Sequence, residues 1–75
     1  MSRIVVVLDA RGLEPPEPMV RILEALNTLD DGAELHASTD RRPIHLLPLL
    51  EQRGCEGVTA NGPDGGFVTI IRRKA

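Results

Sequence analysis

The sequence predicts a single small α/β domain, residues 1–75, in which two helices pack on one face of a sheet. Three observations lead to this fold. An apolar run of strand length opens the chain, two helical stripes each follow a strand, and a glycine-rich hairpin comes last. The element order is therefore βαβαββ. Because β–α–β crossovers are right-handed, both helices should lie on the same face, which makes a two-layer sandwich.

The first strand is predicted over residues 3–8, in which residues 4–8 form a continuous and mainly β-branched apolar run. Apolar side chains on both faces favour a central position in the sheet. The first helix is predicted over residues 16–29, with prolines in its first turn. Its apolar stripe has i, i+3, i+4, i+7 spacing and consists of Met19, Ile22, Leu23 and Leu26.

The second strand is predicted over residues 33–38, where Ala33, Leu35 and Ala37 face one way and polar residues the other. A second helix begins behind Pro43 and ends at Gly54. Its predicted apolar stripe consists of Ile44, Leu46, Leu47 and Leu50. Pro48 cannot sit in a regular helix interior, so we expect a kink or a tight turn before it. A hairpin follows, with strands over residues 56–60 and 67–73.

Composition narrows the class of protein. The chain has 75 residues, a net charge of −2 and one aromatic residue, Phe67, so valine, isoleucine and leucine must form the core. This charge offers no electrostatic case for nucleic acid, and no apolar run approaches the ~20 residues of a membrane span. No signal peptide opens the chain, and one cysteine cannot form an internal disulfide. We expect a cytoplasmic protein with neither a nucleic-acid nor a membrane partner.

The candidate site lies where the first strand passes through a tight loop into the first helix. Backbone N–H groups and the positive end of a helix dipole favour anions at such a junction. The loop after the second strand should reach the same edge of the sheet and bring two more arginines. The predicted binding residues are Arg11, Gly12, Glu14, Pro15, Pro16, Pro18, Asp40, Arg41 and Arg42.

The charged residues in and beside this predicted site can also have purely structural roles. Asp40 can cap the second helix while the arginines stay solvated, and Asp9 can pair with Arg11. Glu14 and Glu17 flank a helix N-terminus, where the dipole stabilises carboxylates and is enough to explain them. No pair of carboxylates indicates acid–base chemistry, so we predict no catalytic residue.

The remaining polar residues indicate no cofactor. Cys55 follows a helix C-terminus, where the dipole does not activate a thiol, and is expected to be a small buried hydrophobe. His36 should point outward from its strand, and His45 lies in the first turn of the second helix; their spacing with other residues does not match a metal site. The basic tail Arg72-Arg73-Lys74 is expected to be solvated.

The segment Leu8-Asp9-Ala10-Arg11-Gly12-Leu13, followed by Pro16-Glu17-Pro18, resembles the opening of the TusA/SirA-like sulfur-carrier family. In that family the loop reads Gly-Leu-x-Cys-Pro-x-Pro, and its cysteine carries a persulfide. Pro15 occupies the cysteine position here. The resemblance therefore points to a related uncharacterised branch that lacks the cysteine and often stands beside or fused to hemerythrin-like domains. That branch often opens its second helix Asp-Pro-x-Pro-Leu, which here reads Arg42-Pro43-Ile44-His45-Leu46.

The resemblance implies a mixed four-stranded sheet with the first strand at an edge, in conflict with the central position favoured above. A weak homodimer that covers this strand or the open sheet face would reconcile the two, and we predict one. We expect a non-enzymatic TusA-like binding or adaptor module for a small anion or a partner protein. One alternative is a persulfide carrier that uses Cys55. Another, from family association only, is an accessory domain to a hemerythrin-like or other metal-redox partner.

Overall fold

The computed structural model describes residues 4–74 and has the predicted element order βαβαββ. Arg3, which we assigned to the first strand, lies outside the described residues. The two α-helices and four strands are β1 (Val5–Asp9), α1 (Glu17–Leu26), β2 (Glu34–Thr39), α2 (Leu46–Gln52), β3 (Cys55–Asn61) and β4 (Phe67–Arg73).

The four strands form one mixed sheet in the order β1-β2-β4-β3. β1 pairs with β2 in parallel, with Val6 opposite Leu35, whereas β2–β4 and β4–β3 are antiparallel. The edge position of β1 confirms the expectation from the resemblance, and the central position inferred from its apolar faces is wrong. Val5, Val6 and Val7 are all exposed. A run that is apolar on both faces has the same pattern whether neighbours cover it or not.

Both helices cover one face of the sheet, as predicted. The buried core on that face joins Ile22 and Leu26 of α1 to Leu46 and Leu50 of α2. Its floor is supplied by alternate residues of the inner strands, with Leu35 opposite Ile71. The alternation predicted for β2 is confirmed, because Ala33, Leu35 and Ala37 are buried while the residues between them are partly exposed.

α1 begins one residue after its predicted start and ends three residues before its predicted end. Pro18 lies in its first turn, where a missing N–H costs no intrahelical hydrogen bond. At the other end, the N–H groups of Thr28 and Leu29 donate to carbonyls three residues back, at 3.3 and 3.2 Å. This tighter turn ends the helix but still buries Leu29.

α2 begins at Leu46, three residues after Pro43, and this placement corrects its predicted apolar stripe. The expected tight turn is present, since the Leu46 N–H donates to the Pro43 carbonyl at 3.0 Å. Pro48 consequently falls in the first helical turn, where proline is tolerated. Leu46 and Leu50 are buried, but Ile44 precedes the helix and is 65% exposed, and Leu47 is also exposed.

No helix in residues 4–74 is both long enough and apolar enough to cross a membrane.

Candidate functional site: a pocket between two loops

The loops that follow β1 and β2 meet at one edge of the sheet, because parallel strands end on the same side. Backbone pairing continues past β1, where the Ala10 N–H donates to the Ser38 carbonyl at 2.9 Å. The Gly12 N–H then donates to Asp40 Oδ2 at 2.7 Å, which joins the two loops directly. Gly12 has a φ of 79°, a conformation that residues with a side chain rarely adopt.

We considered that Asp40 caps α2, and this interpretation is wrong. The N-cap residue of α2 is His45, and it forms no side-chain capping hydrogen bond. Asp40 instead accepts a hydrogen bond from the neighbouring loop and helps to hold the two loops together. The first loop also contains a cis peptide bond between Pro15 and Pro16.

The hairpin turn between β3 and β4 supports the second loop from the side. A Cβ atom on Gly66 would lie 2.7 Å from the Thr39 carbonyl oxygen, closer than real contacts allow. Its φ of +67° also favours glycine. The Thr39 hydroxyl, on the buried side of the strand end, donates to the Arg41 carbonyl at 2.7 Å. These contacts fix the backbone at the start of the second loop.

A pocket of about 580 Å³ lies between the two loops and the adjacent ends of the helices. Its apolar floor is formed by the partly exposed Leu13, Pro18, Met19 and Pro43, whereas Ile22 and Leu46 lie behind this floor and are buried. The complete lining consists of Leu13, Glu14, Pro15, Pro16, Pro18, Met19, Ile22, Thr39, Asp40, Arg41, Arg42, Pro43, Ile44, His45 and Leu46. The volume lies within the range typical of small-molecule sites.

The structure brings together most of the residues predicted for the site. Every predicted binding residue lines the pocket except Arg11 and Gly12. Sequence reasoning missed much of the apolar lining, since Met19 was assigned only to the core and Leu13 and Pro43 were not assigned to the site. The N-terminal end of the α1 stripe, beside the predicted loop, is the signal that could have indicated it.

Arg11 does not line the pocket and is paired with Asp9. Its Nε and Nη2 donate to the two carboxylate oxygens of Asp9, at 2.9 and 3.2 Å, so the predicted alternative of an Asp9–Arg11 pair is confirmed. The backbone N–H of Arg11 also donates to Asp9 Oδ1 at 3.1 Å. The side-chain hydrogen bond lowers the pKa of Asp9 and raises that of Arg11 from their ordinary values.

The two arginines of the second loop differ from Arg11 and from each other. The Arg42 guanidinium carbon lies 5.0 Å from the centroid of the Phe67 ring, a cation–π contact. Within the part of the chain that the structure describes, neither Arg41 nor Arg42 forms an ion pair. Arg41 is exposed, and its side chain has no hydrogen bond to another described residue.

The electrostatics of the pocket are balanced. Glu14 and Asp40 line it together with Arg41 and Arg42, so its formal charges cancel. The first turn of α1 adds the acidic Glu17 and a proline that lacks an N–H donor. An anion would therefore meet little net attraction here, whereas an apolar group would find an apolar floor.

The Cys55 thiol and the His36 imidazole lie away from this pocket, whereas His45 lines it. Cys55 is fully buried, as predicted, and its thiol donates to the Arg53 carbonyl at 3.6 Å. His36 points to the open face, where its Nε2 lies 3.1 Å from Glu34 Oε1. Within residues 4–74 no three His, Cys, Asp or Glu side chains are grouped so that they could hold a metal ion.

Comparison with curated proteins finds no match to the chain. A match to a protein family covers residues 7–73 and so includes every helix and nearly every strand residue described above. The chain belongs to the family described as uncharacterized conserved protein (DUF2249).

Proposed function

We propose that this protein is a non-enzymatic binding or adaptor module whose pocket receives an apolar side chain of a partner protein. The observation that carries the proposal is the apolar floor of the 580 Å³ pocket, which opens between two loops tied to each other. Ile44 stands at the rim with 65% of its surface exposed, so a partner would bury it on docking. Exposed apolar side chains beside a pocket are typical of interaction sites.

A protein partner is favoured over a small anion by the charges at the site. Arg11 is occupied by Asp9, and the two arginines of the pocket are balanced by two carboxylates. Arg41 and the Arg42–Phe67 pair can still contribute at the rim. Rim charges mainly affect association rate and partner choice, and buried apolar contacts supply most of the affinity.

The proposal includes a TusA-like relationship, supported by the loop motif and by the βαβαββ order. Pro15, which stands at the position of the sulfur-carrier cysteine, lines the pocket. Under this proposed relationship, the chain retains the loop of the sulfur carriers but lacks their reactive cysteine. Transfer of sulfur by Cys55 has no support from the fold, because that thiol is 0% exposed. No observation here favours the hemerythrin-like accessory role.

Affinity capture from the native cell tests the proposal, with matched variants that separate the pocket from the rest of the surface. Ile44→Asp places a charge at the pocket rim. Val58→Asp places the same charge on β3, where the valine is 69% exposed and does not line the pocket. Mass spectrometry of co-purifying proteins and small molecules should find a protein that wild type and Val58→Asp capture and Ile44→Asp loses.

The captured protein is then purified and titrated against the three proteins by calorimetry. We expect at least a tenfold weaker affinity for Ile44→Asp, about 1.4 kcal/mol, and no change for Val58→Asp. Equal binding by all three proteins would contradict the proposal. Capture of only a small anion, lost on Arg41→Ala and retained by Ile44→Asp, would contradict it as well.

A further inference from the structure

The outer edge of β1 has no strand partner among the described residues. On the inner edge, the Ile4 carbonyl accepts from the Glu34 N–H at 2.8 Å and the Ala10 N–H donates to Ser38. Successive residues of a strand direct their backbone groups to opposite edges. The N–H and C=O groups of Val5, Val7 and Asp9 therefore point away from the sheet, and such a row is a template for pairing with another extended strand.

The two edge strands of this sheet differ in their protection against such pairing. β3 carries the charged Glu56, which lies 3.2 Å from Arg72, and has Gly57 in its interior. β1 has no charged residue between Ile4 and Leu8. Charged side chains and irregular residues are the usual means by which edge strands avoid pairing. β1 is unprotected over this segment, and Val7 is 75% exposed.

We infer that β1 pairs in an antiparallel manner with β1 of a second copy of this chain, joining two sheets into one of eight strands. The two-fold axis passes midway between the Val7 residues of the two copies. In this register Val7 faces Val7 of the second copy, and Val5 faces Asp9 on either side. Within residues 4–74, this register pairs all three outward-facing residues of each strand with one another, so that each forms backbone hydrogen bonds.

The charges of the strand agree with this arrangement. In the antiparallel register the two Asp9 carboxylates lie at opposite ends of the contact, each beside a valine. A parallel pairing in register would place them side by side, where like charges are destabilising. The antiparallel contact also extends the open-face row formed by Val7, His36, Ile70 and Val58 into the same row of the second copy.

The dimer should be weak because the contact is small. Stable interfaces bury about 1,600 Å² in total, and two short paired strands with a few valines cannot supply that. We therefore expect association at concentrations of about 0.1–1 mM. The contact lies along β1, so it leaves the pocket free and is independent of the proposed function.

Sedimentation equilibrium over a concentration series tests the pairing. The wild-type average mass should rise from that of a monomer toward that of a dimer. Val7→Lys, which adds a charge at the free edge, should weaken association at least about tenfold. Val58→Lys is the matched control on the opposite edge and should associate like wild type. Amide exchange at Val5 and Val7 should slow as the concentration rises.

Each alternative gives a different result. Pairing of β1 with a strand of another protein would leave pure wild type monomeric at about 1 mM, and this outcome would overturn the inference. Stacking of open sheet faces would make Val58→Lys as harmful as Val7→Lys and would also overturn it. Unchanged association of Val7→Lys would do the same. Both substitutions are at exposed positions, so both variants should remain folded.

Discussion

Two arginine pairs of identical sequence have different surroundings in this protein. Arg41–Arg42 lies in the loop after β2, beside the pocket, and Arg72–Arg73 lies at the end of β4. We expected the second pair to be a solvated tail. The structure instead places both of its guanidiniums in contacts that hold the fold together, so that expectation is wrong.

The position of Arg72 and Arg73 in β4 determines which partners their side chains reach. Neighbouring residues of a strand point to opposite faces, so Arg72 reaches the open face and Arg73 the helix side. Arg72 lies 3.2 Å from Glu56 and 3.8 Å from Glu34, the carboxylates on the two flanking strands. Arg73 donates from Nη2 to the Leu26 carbonyl at 2.7 Å and from Nε to the Leu29 carbonyl at 2.9 Å.

Arg73 thereby donates to the carbonyl of the last residue of α1 and to that of Leu29 in the turn that follows, at a helix end where the dipole favours a cation. In the loop, no flanking strand or helix end offers such partners to Arg41. Arginines in a strand therefore reach partners on neighbouring strands and helix ends, whereas Arg41 in a loop has no such partner among the described residues. The position of a charged residue, rather than its type, decides whether its side chain contributes to the stability of the fold.

The largest expected effect comes from removing one arginine of each pair. Arg73→Ala should lower the free energy of unfolding by about 2 kcal/mol, because charge-assisted hydrogen bonds to two carbonyls are lost. Arg41→Ala, the matched control, should change it by less than about 0.5 kcal/mol. Urea unfolding followed by circular dichroism measures both values. Equal effects of the two substitutions would break the comparison.

An intermediate effect is expected within the loop pair. The contact of Arg42 with Phe67 should give a coupling energy of about 0.5–1 kcal/mol in a double-mutant cycle of Arg42→Ala and Phe67→Leu. The same cycle with Arg41→Ala should give a coupling near zero. Urea unfolding of the single and double variants provides the energies. A larger coupling energy between Arg41 and Phe67 than between Arg42 and Phe67 would contradict the assignment of the ring contact to Arg42.

The smallest effect concerns the exposed Asp9–Arg11 pair and depends on pH. The hydrogen bond from the Arg11 side chain lowers the pKa of Asp9 from its ordinary value of 3.8. A lowered folded-state pKa contributes stability that is present above the unfolded-state pKa and is lost as the pH falls through the folded value. Asp9→Asn should therefore slightly lower the free energy of unfolding at pH 7. As the pH falls from the unfolded-state pKa of Asp9 to its lower folded-state pKa, the variant should lose less stability than wild type.

Urea midpoints measured from neutral pH down to about pH 3 provide this comparison. Arg11→Ala serves as the second arm, since it breaks the same pair from the other side. An acid response of Asp9→Asn identical to that of wild type would contradict the assigned role of the pair.

Much of the fold could be predicted from the sequence, because element order depends on local patterns. Proline and glycine mark the helix ends, and the alternation of Ala33, Leu35 and Ala37 marks β2. The partners of Arg73 could not be predicted, since Leu26 and Leu29 lie 47 and 44 residues away along the chain. No local pattern records such a contact.

The sequence predicted the location of the candidate site better than it predicted the side chains that line it. Right-handed crossovers bring the two loops together whatever side chains they carry, and the pocket lies there. The exposed Ile44 at its rim was not predicted, because the helix was expected to begin behind Pro43 and to include Ile44 in its apolar stripe. α2 begins at Leu46, and Ile44 lies exposed before it.

The central claim is that the pocket binds an apolar side chain, and NMR titration with defined probes tests it most directly. N-acetyl-leucinamide and N-acetyl-lysinamide are added separately to protein labelled at backbone and methyl groups. The leucine probe should shift the signals of Met19, Ile22 and Ile44, and the lysine probe should leave them unchanged. Ile44→Asp should abolish the shifts, and Val58→Asp should retain them. Equal shifts from both probes, or leucine shifts located on the open sheet face, would contradict the account.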